Sequence, residues 1–179
     1  MCKIITENED GYNFGINEVN VANQLEIQVG QLLQRRRWKL VVAESCTGGL
    51  LGSRITDVPG SSEYFLGGVI AYAYEAKVEL LGVLWDTLNT KGAVSRETVV
   101  EMARGARQRL KGDIAVSVSG IAGPGGATPE KPVGTTWIGL VTGDVEKAEL
   151  FHFSGDREAN KKYAVDAALR LLLDYLGSE

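Results

Sequence analysis

Apolar positions along this chain change period several times, and each change marks an element. Val21, Leu25, Val29, Leu32 and Leu33 recur every three or four residues, which predicts an amphipathic helix over 17–37. Residues 38–43 are nearly continuously apolar, the pattern of a largely buried strand. A second helix is predicted over 47–56, carrying Leu50, Leu51 and Ile55, followed by a loop at Pro59-Gly60-Ser61-Ser62. Residues 65–72 read as a strand in which Gly67-Gly68 marks a bulge or a close backbone approach. A helix over 75–81 ends at Gly82, which suits a left-handed cap, and Ser95 is a good N-cap for a helix over 96–110. A strand over 114–118, a hairpin of 134–141 with 147–153 around Gly143-Asp144, and a helix over 157–176 striped by Tyr163, Ala167, Leu171 and Tyr175 complete the pattern. Helices and strands alternate until the hairpin intrudes. This predicts an α/β fold, a three-layer α/β/α sandwich with a mixed, mostly parallel sheet.

Polar residues 1–16 are read as a flexible arm, and 17–179 as one domain. The chain has 179 residues, 44% of them apolar, enough for one well-filled core. A net charge of -4 gives no basic field for a nucleic-acid backbone, so nucleic acid is not an expected partner. Arg35, Arg36 and Arg37 are expected at a solvated helix end, where cations favour the negative pole of the dipole. Cys2 and Cys46 form no disulfide framework and point to a reducing compartment. No run of 18 apolar residues occurs, so the expected setting is cytoplasmic without membrane partners. The stripe of the first helix, if the sheet leaves it uncovered, is a natural surface for a homo-oligomer.

The chemistry concentrates where Val41-Val42-Ala43 breaks into Glu44-Ser45-Cys46-Thr47-Gly48-Gly49. A strand ending sharply in a helix exposes a small nucleophile, Ser45 or Cys46, near free N–H groups that attract anions. The plain alternative is a tight turn with a serine N-cap. Three glycine- and serine-bearing loops, at 45–49, 60–62 and 119–126, border predicted element ends, and the first and third can share one crevice if the sheet is mostly parallel. The 120–126 segment fits neither a Walker loop nor a dinucleotide fingerprint. His152 is the chain's one histidine, on a strand face opposite Phe151 and Phe153, so a histidine-rich metal site cannot be built and a packing role is expected. If Ser45 is a nucleophile, its base is then expected to be a lysine made neutral by desolvation, with Lys77 and Lys131 as candidates near glycine-rich loops.

Ala43-Glu44-Ser45-Cys46-Thr47-Gly48-Gly49, Pro59-Gly60-Ser61-Ser62, Tyr72 with Lys77, Gly92-Ala93-Val94-Ser95, Ser119-Gly120-Ile121-Ala122-Gly123-Pro124-Gly125-Gly126, Pro129-Glu130-Lys131-Pro132-Val133-Gly134 and Gly155-Asp156-Arg157 occur in one collinear order. Together they resemble the CinA carboxy-terminal domain family, over about residues 20–176. The resemblance implies a nicotinamide-nucleotide amidohydrolase, converting the carboxamide of nicotinamide mononucleotide to nicotinic acid mononucleotide and ammonia. It implies a stand-alone form of the domain, and a small-molecule nucleotide substrate with no cofactor or metal. It further implies Ser45 as nucleophile, Lys77 as base, Tyr72 assisting them and Arg157 meeting substrate. Thr47, Gly48 and Gly49, with Ser119, Gly120 and Gly123, are then expected to cradle the oxyanion or phosphate. One departure stands out: a family pattern of Tyr-Ser-Asn-x-x-Lys reads Tyr72-Ala73-Tyr74-Glu75-Ala76-Lys77 here, without two small polar side chains beside the base. Alternatives are a cysteine amidase using Cys46, favoured as thiolate at a helix N-terminus, and a non-catalytic nucleotide sensor of the same fold. Ser61 and Ser62 are read as loop or substrate-pocket residues.

Overall fold

A computed structural model describes residues 24–178 of the chain. The expected arm over 1–16, Cys2, and the start of the first helix with Val21 lie outside the described residues. Strands β1 (Leu40–Glu44), β2 (Phe65–Ile70), β3 (Ile114–Gly120), β4 (Thr135–Val141) and β5 (Glu146–His152) form one sheet in the order β2-β1-β3-β4-β5. β1 pairs in parallel with β2 and β3, while β4 runs antiparallel to both β3 and β5. Four of the five strands therefore share a direction, and the hairpin reverses only β4.

Helices cover both faces of this mixed sheet. Alternation along β1 sends Leu40 and Val42 toward α1 (Leu25–Arg36), α2 (Leu50–Thr56) and α6 (Arg157–Gly177). Val41 and Ala43 point the other way, toward α3 (Tyr74–Leu81), α4 (Trp85–Lys91) and α5 (Arg96–Leu110). The first-helix stripe does not remain open: Val29 and Leu33 are fully buried in the cluster that holds Ala168 and Leu172 of α6. It is core, not a free oligomer face.

Glycine sets two close approaches. In β2 the register slips between Leu40 and Val41, with Phe65 opposite the first and Gly67 opposite the second; Gly67 adopts φ +132°, and a Cβ on Gly68 would stand 2.4 Å from Val42 Cγ2. Both expectations for this pair, a bulge and a close approach, are met together. On the other face, α5 crosses the end of α3 so tightly that a Cβ on Gly105 would lie 1.7 Å from the Leu81 carbonyl oxygen.

Helix α4 was not expected from the pattern. Its sequence, Trp-Asp-Thr-Leu-Asn-Thr-Lys, has little helix propensity and only Thr87 and Leu88 are buried. A distant residue supplies its start: the Glu101 carboxylate on α5 accepts from the Leu84 N–H at 2.9 Å and from the Thr87 hydroxyl at 2.7 Å. Ser61–Glu63, read as loop, forms one 3₁₀ turn.

The connection leaving β1 runs through α2 on one face, and the connection entering β3 runs through α3, α4 and α5 on the other. That second connection leaves the end of β2, so the chains part at the carboxyl ends of adjacent, parallel β1 and β2 and leave a crevice there, as at the switch points of other α/β sheets. Helix propensity alone favours alanine over glycine at position 105 by about 1 kcal/mol, whereas overpacking costs about 1–3 kcal/mol. Given the backbone contact, Gly105→Ala is expected to lower the urea midpoint with an unchanged m-value; a variant as stable as the parent would contradict this crossing.

Candidate active site

The crevice is built from three strand ends. The Ser45 N–H donates to the Val118 carbonyl at 3.0 Å, prolonging the β1–β3 ladder by one residue before the chain turns. The Ala71 N–H donates to the Glu44 carbonyl at 2.8 Å, holding the end of β2 against the same strand. A cavity of about 190 Å³ opens here, its polar wall formed by Ser45, Cys46, Tyr72, Lys77, Ser119, Gly120 and Arg157 and its apolar wall by Ala93, Val94 and Ala122. The first and third glycine-bearing loops do meet; Ser61 and Ser62 take no part in this lining.

Lys77 sits on the second turn of α3, with no exposed surface. Its Nζ lies 2.9 Å from Ser45 Oγ, 2.8 Å from the Ala71 carbonyl and 3.0 Å from the Tyr72 carbonyl. Burial lowers its pKa from 10.5 to about 8, with the nearby Cys46 thiol opposing this weakly. The geometry fixes what the neutral amine does. Carbonyls only accept, so its two N–H groups are directed to Ala71 and Tyr72, and its lone pair faces the Ser45 hydroxyl. A buried amine in that state has the chemistry to accept a proton from a hydroxyl. Glu75 is exposed and is not among the groups acting on Lys77.

The departure at 73–74 leaves this arrangement intact, because the contacts that hold the amine are backbone carbonyls. Ala73 is the N-cap of α3 without a side-chain bond, and the Tyr74 hydroxyl accepts from the Ala93 N–H at 3.4 Å, reaching the loop that walls the cavity. Ser119 lines the cavity, and its hydroxyl donates to the Ala93 carbonyl at 2.8 Å.

The anion cradle is rearranged. Glu44, 1% exposed and given no role by the sequence reading, accepts from the N–H groups of Gly49, Leu51 and Gly52 at 2.9, 3.1 and 2.8 Å. It occupies the positive end of α2 from within the protein. The Gly48 N–H closes a turn on the Ser45 carbonyl at 3.1 Å. Of the expected trio, Thr47 alone keeps an N–H without an acceptor among the described residues; its hydroxyl is also buried without a partner.

Tyr72 and Arg157 meet across the mouth. Arg157 donates from Nη2 to the Tyr72 hydroxyl at 3.1 Å and from Nη1 to the Gly123 carbonyl at 2.7 Å. Tyr72 thus offers Lys77 its carbonyl, and its hydroxyl partner is Arg157 rather than Ser45 or Lys77. Asp156 caps α6 through the Ala159 N–H at 2.9 Å. Asn160, 2% exposed, donates to the Ala122 carbonyl at 3.1 Å and the Gly155 carbonyl at 2.8 Å and ties the 119–126 loop to α6. No local sequence signal marks Asn160, whose partner Ala122 lies on a distant loop.

Three candidates fall away from the chemistry. Burial pushes the Cys46 thiol up to about 11, so the helix N-terminus does not make it a thiolate; that pole is already held by Glu44. Lys131 donates to the Lys91 carbonyl at 2.8 Å, at the far end of α4. His152, expected to pack, is instead exposed because it lies on the outer face of β5, where it faces the Thr135 hydroxyl across the hairpin at 3.3 Å; Phe151 and Phe153, on the opposite face, pack on the core as alternation requires.

Residues 22–176 match the sequence model of the CinA C-terminal domain. The chain belongs to the CinA C-terminal domain family. A CinA-like protein of Chlorobaculum tepidum is 54% identical over 154 residues, covering 83% of this chain and 36% of that protein. A CinA-like protein of Thermotoga maritima is 44% identical over 176 residues, covering 98% and 42%. The chain therefore spans about two fifths of the length of these curated CinA relatives. The crystal structure of competence damage-inducible protein A from Klebsiella pneumoniae superposes with a TM-score of 0.84 at 35% identity, covering 86% of this chain and 96% of that one. The match bears out the α/β fold as well as the CinA assignment. No described helix is long and apolar enough to cross a membrane.

A lowered lysine pKa carries a stability sign. Between pH 8 and 10.5 the unfolded chain holds a proton that the native chain lacks, so this group destabilises the fold progressively as pH falls through that window and constantly below it. Lys77→Met is therefore expected to keep or raise Tm at pH 7, with the gain shrinking toward pH 10.5. The same variant is expected to slow labelling of Ser45 by an aryl sulfonyl fluoride by about 10²–10⁴-fold. In the parent, labelling should rise with pH through a midpoint of about 8; a rate independent of Lys77 would contradict the assignment.

Proposed function

We propose that this domain is a Ser/Lys amidohydrolase acting on nicotinamide mononucleotide. The observation that carries the reading is the buried amine of Lys77, without a carboxylate partner among the described residues, at 2.9 Å from Ser45 Oγ in the cavity between the strand ends. An amide is a poor electrophile, and attack on it calls for an alkoxide and a stabilised oxyanion. Neutral Lys77 takes the Ser45 proton as Oγ bonds to the carboxamide carbon. The tetrahedral intermediate collapses by breaking the C–N bond, and the Lys77 ammonium returns the proton to the departing nitrogen, which leaves as ammonia. Water, deprotonated by the same amine, then cleaves the acyl ester, regenerating Ser45 and releasing nicotinic acid mononucleotide.

The remaining groups fit this cycle. Thr47 offers its N–H beside the nucleophile for the oxyanion, the part left to it once Glu44 has taken the α2 terminus. The apolar wall of Ala93, Val94 and Ala122 suits an aromatic ring, and Arg157 supplies positive charge at the mouth. Ammonia release from nicotinamide mononucleotide is the direct assay. The parent should turn over, Ser45→Ala and Lys77→Ala should lose activity by at least about 10²-fold while staying folded, and Tyr72→Phe should lose far less, since the carbonyl that serves Lys77 is retained. A parent that binds the nucleotide and is stabilised by it without releasing ammonia would replace this reading with that of a sensor.

A further inference from the structure

Lys161 lies one helical turn beyond Arg157 on α6, so both side chains project from the same face. It is half-buried, and its ammonium stands 3.9 Å from where a Cβ on Gly48 would be. Its charge reaches the Cys46 thiol, where it favours the ionised form. The neighbouring Lys162 is paired with Glu158 at 2.7 Å, whereas Lys161 has no ion-pair or hydrogen-bond partner among the described residues. The Glu44 carboxylate, which precedes the same turn, already accepts from three N–H groups.

We propose that Lys161 is a specificity residue that binds the phosphate of the nucleotide substrate, an inference that rests on the amidohydrolase reading of the Ser45 site. Size supports it: a cavity of about 190 Å³ is smaller than the pockets of about 300–1,000 Å³ that enclose drug-sized ligands. With the carboxamide at Ser45, the cavity does not also enclose the phosphate, and Lys161 stands outside its lining, beside Gly48. Positive charge to receive it cannot come from α2, whose first N–H groups serve Glu44. Arg157 is partly committed, with donors on Gly123 and Tyr72. Lys161 keeps all three ammonium donors for an anion at the edge of the Ser45–Gly48 turn. It is a point charge that discriminates substrates by the presence of phosphate and contributes nothing to bond breaking.

Steady-state kinetics of the parent, Lys161→Gln and Lys161→Arg test this with nicotinamide mononucleotide and with nicotinamide riboside, which lacks the phosphate. For the mononucleotide, Lys161→Gln should raise KM about 10- to 100-fold with kcat held within about threefold, and Lys161→Arg should restore most of the loss. For the riboside, parent and Lys161→Gln should agree. Equal losses on both substrates, or no change on either, overturn the proposal. If the parent hydrolyses neither compound, the amidohydrolase reading fails by itself and the subsite is judged with inorganic phosphate. Thermal stabilisation of the parent and Lys161→Arg but not Lys161→Gln supports the subsite, and equal response of all three overturns it.

Discussion

The site depends on an amine held out of water with no carboxylate to pair with it. Lys77 has three oxygens around its nitrogen, two carbonyl and one hydroxyl, and none carries a formal charge. Desolvation therefore prevails, and the neutral form becomes accessible near physiological pH. Had an acidic side chain replaced either carbonyl, the pair would have locked the proton onto the nitrogen and removed the base. The fold avoids this by presenting Lys77 to the end of β2, where the chain leaves the sheet and two successive carbonyls turn toward α3. The setting of the amine thus comes from backbone geometry, which explains why alanine and tyrosine at 73 and 74 are compatible with it.

Electrostatics around Ser45 are divided between two helices. Glu44, buried at the end of β1, saturates the start of α2 and holds the strand-to-helix turn in place. The positive charges beside the cavity come instead from α6, through Arg157 and Lys161. Asp156 and Asn160 fix where that helix begins, and Asn160 joins it to the 119–126 loop, so the mouth and wall of the cavity are tied together. Loop 92–94 is pinned from two sides, by Tyr74 and by Ser119. A packed network of this kind holds the cavity shape without any contribution from exposed ion pairs, which are weak in water.

Periodicity carried most of the fold because the elements that build the core are long or fully buried. The run before Ser45 is apolar on both faces since β1 is an interior strand of a sheet covered on both sides, and that is visible in sequence. α4 was not visible, since its start is capped by Glu101, fourteen and more residues away. At the site, Ser45 and Lys77 were legible from residue chemistry together with the family resemblance, and Ser119, Gly120 and Arg157 do reach the same cavity. The anion cradle was misplaced because a row of glycines advertises free N–H groups without showing what already bonds to them. Lys131 and Lys77 looked alike as sequence, and only the tertiary fold buries one and leaves the other capping a helix end. Lys161 and Asn160 lay inside an ordinary helical pattern.

The central claim is the state of one nitrogen, and it can be read without any substrate. A chain labelled with ¹³C and ¹⁵N at lysine allows the Lys77 Cε and Nζ shifts to be followed across pH, with Lys77→Met giving the assignment. A single titration with a midpoint of about 8, well below the other lysines, is the predicted result. A midpoint near 10.5 would mean that the ammonium persists beside Ser45, and the account of Lys77 as its base would be wrong.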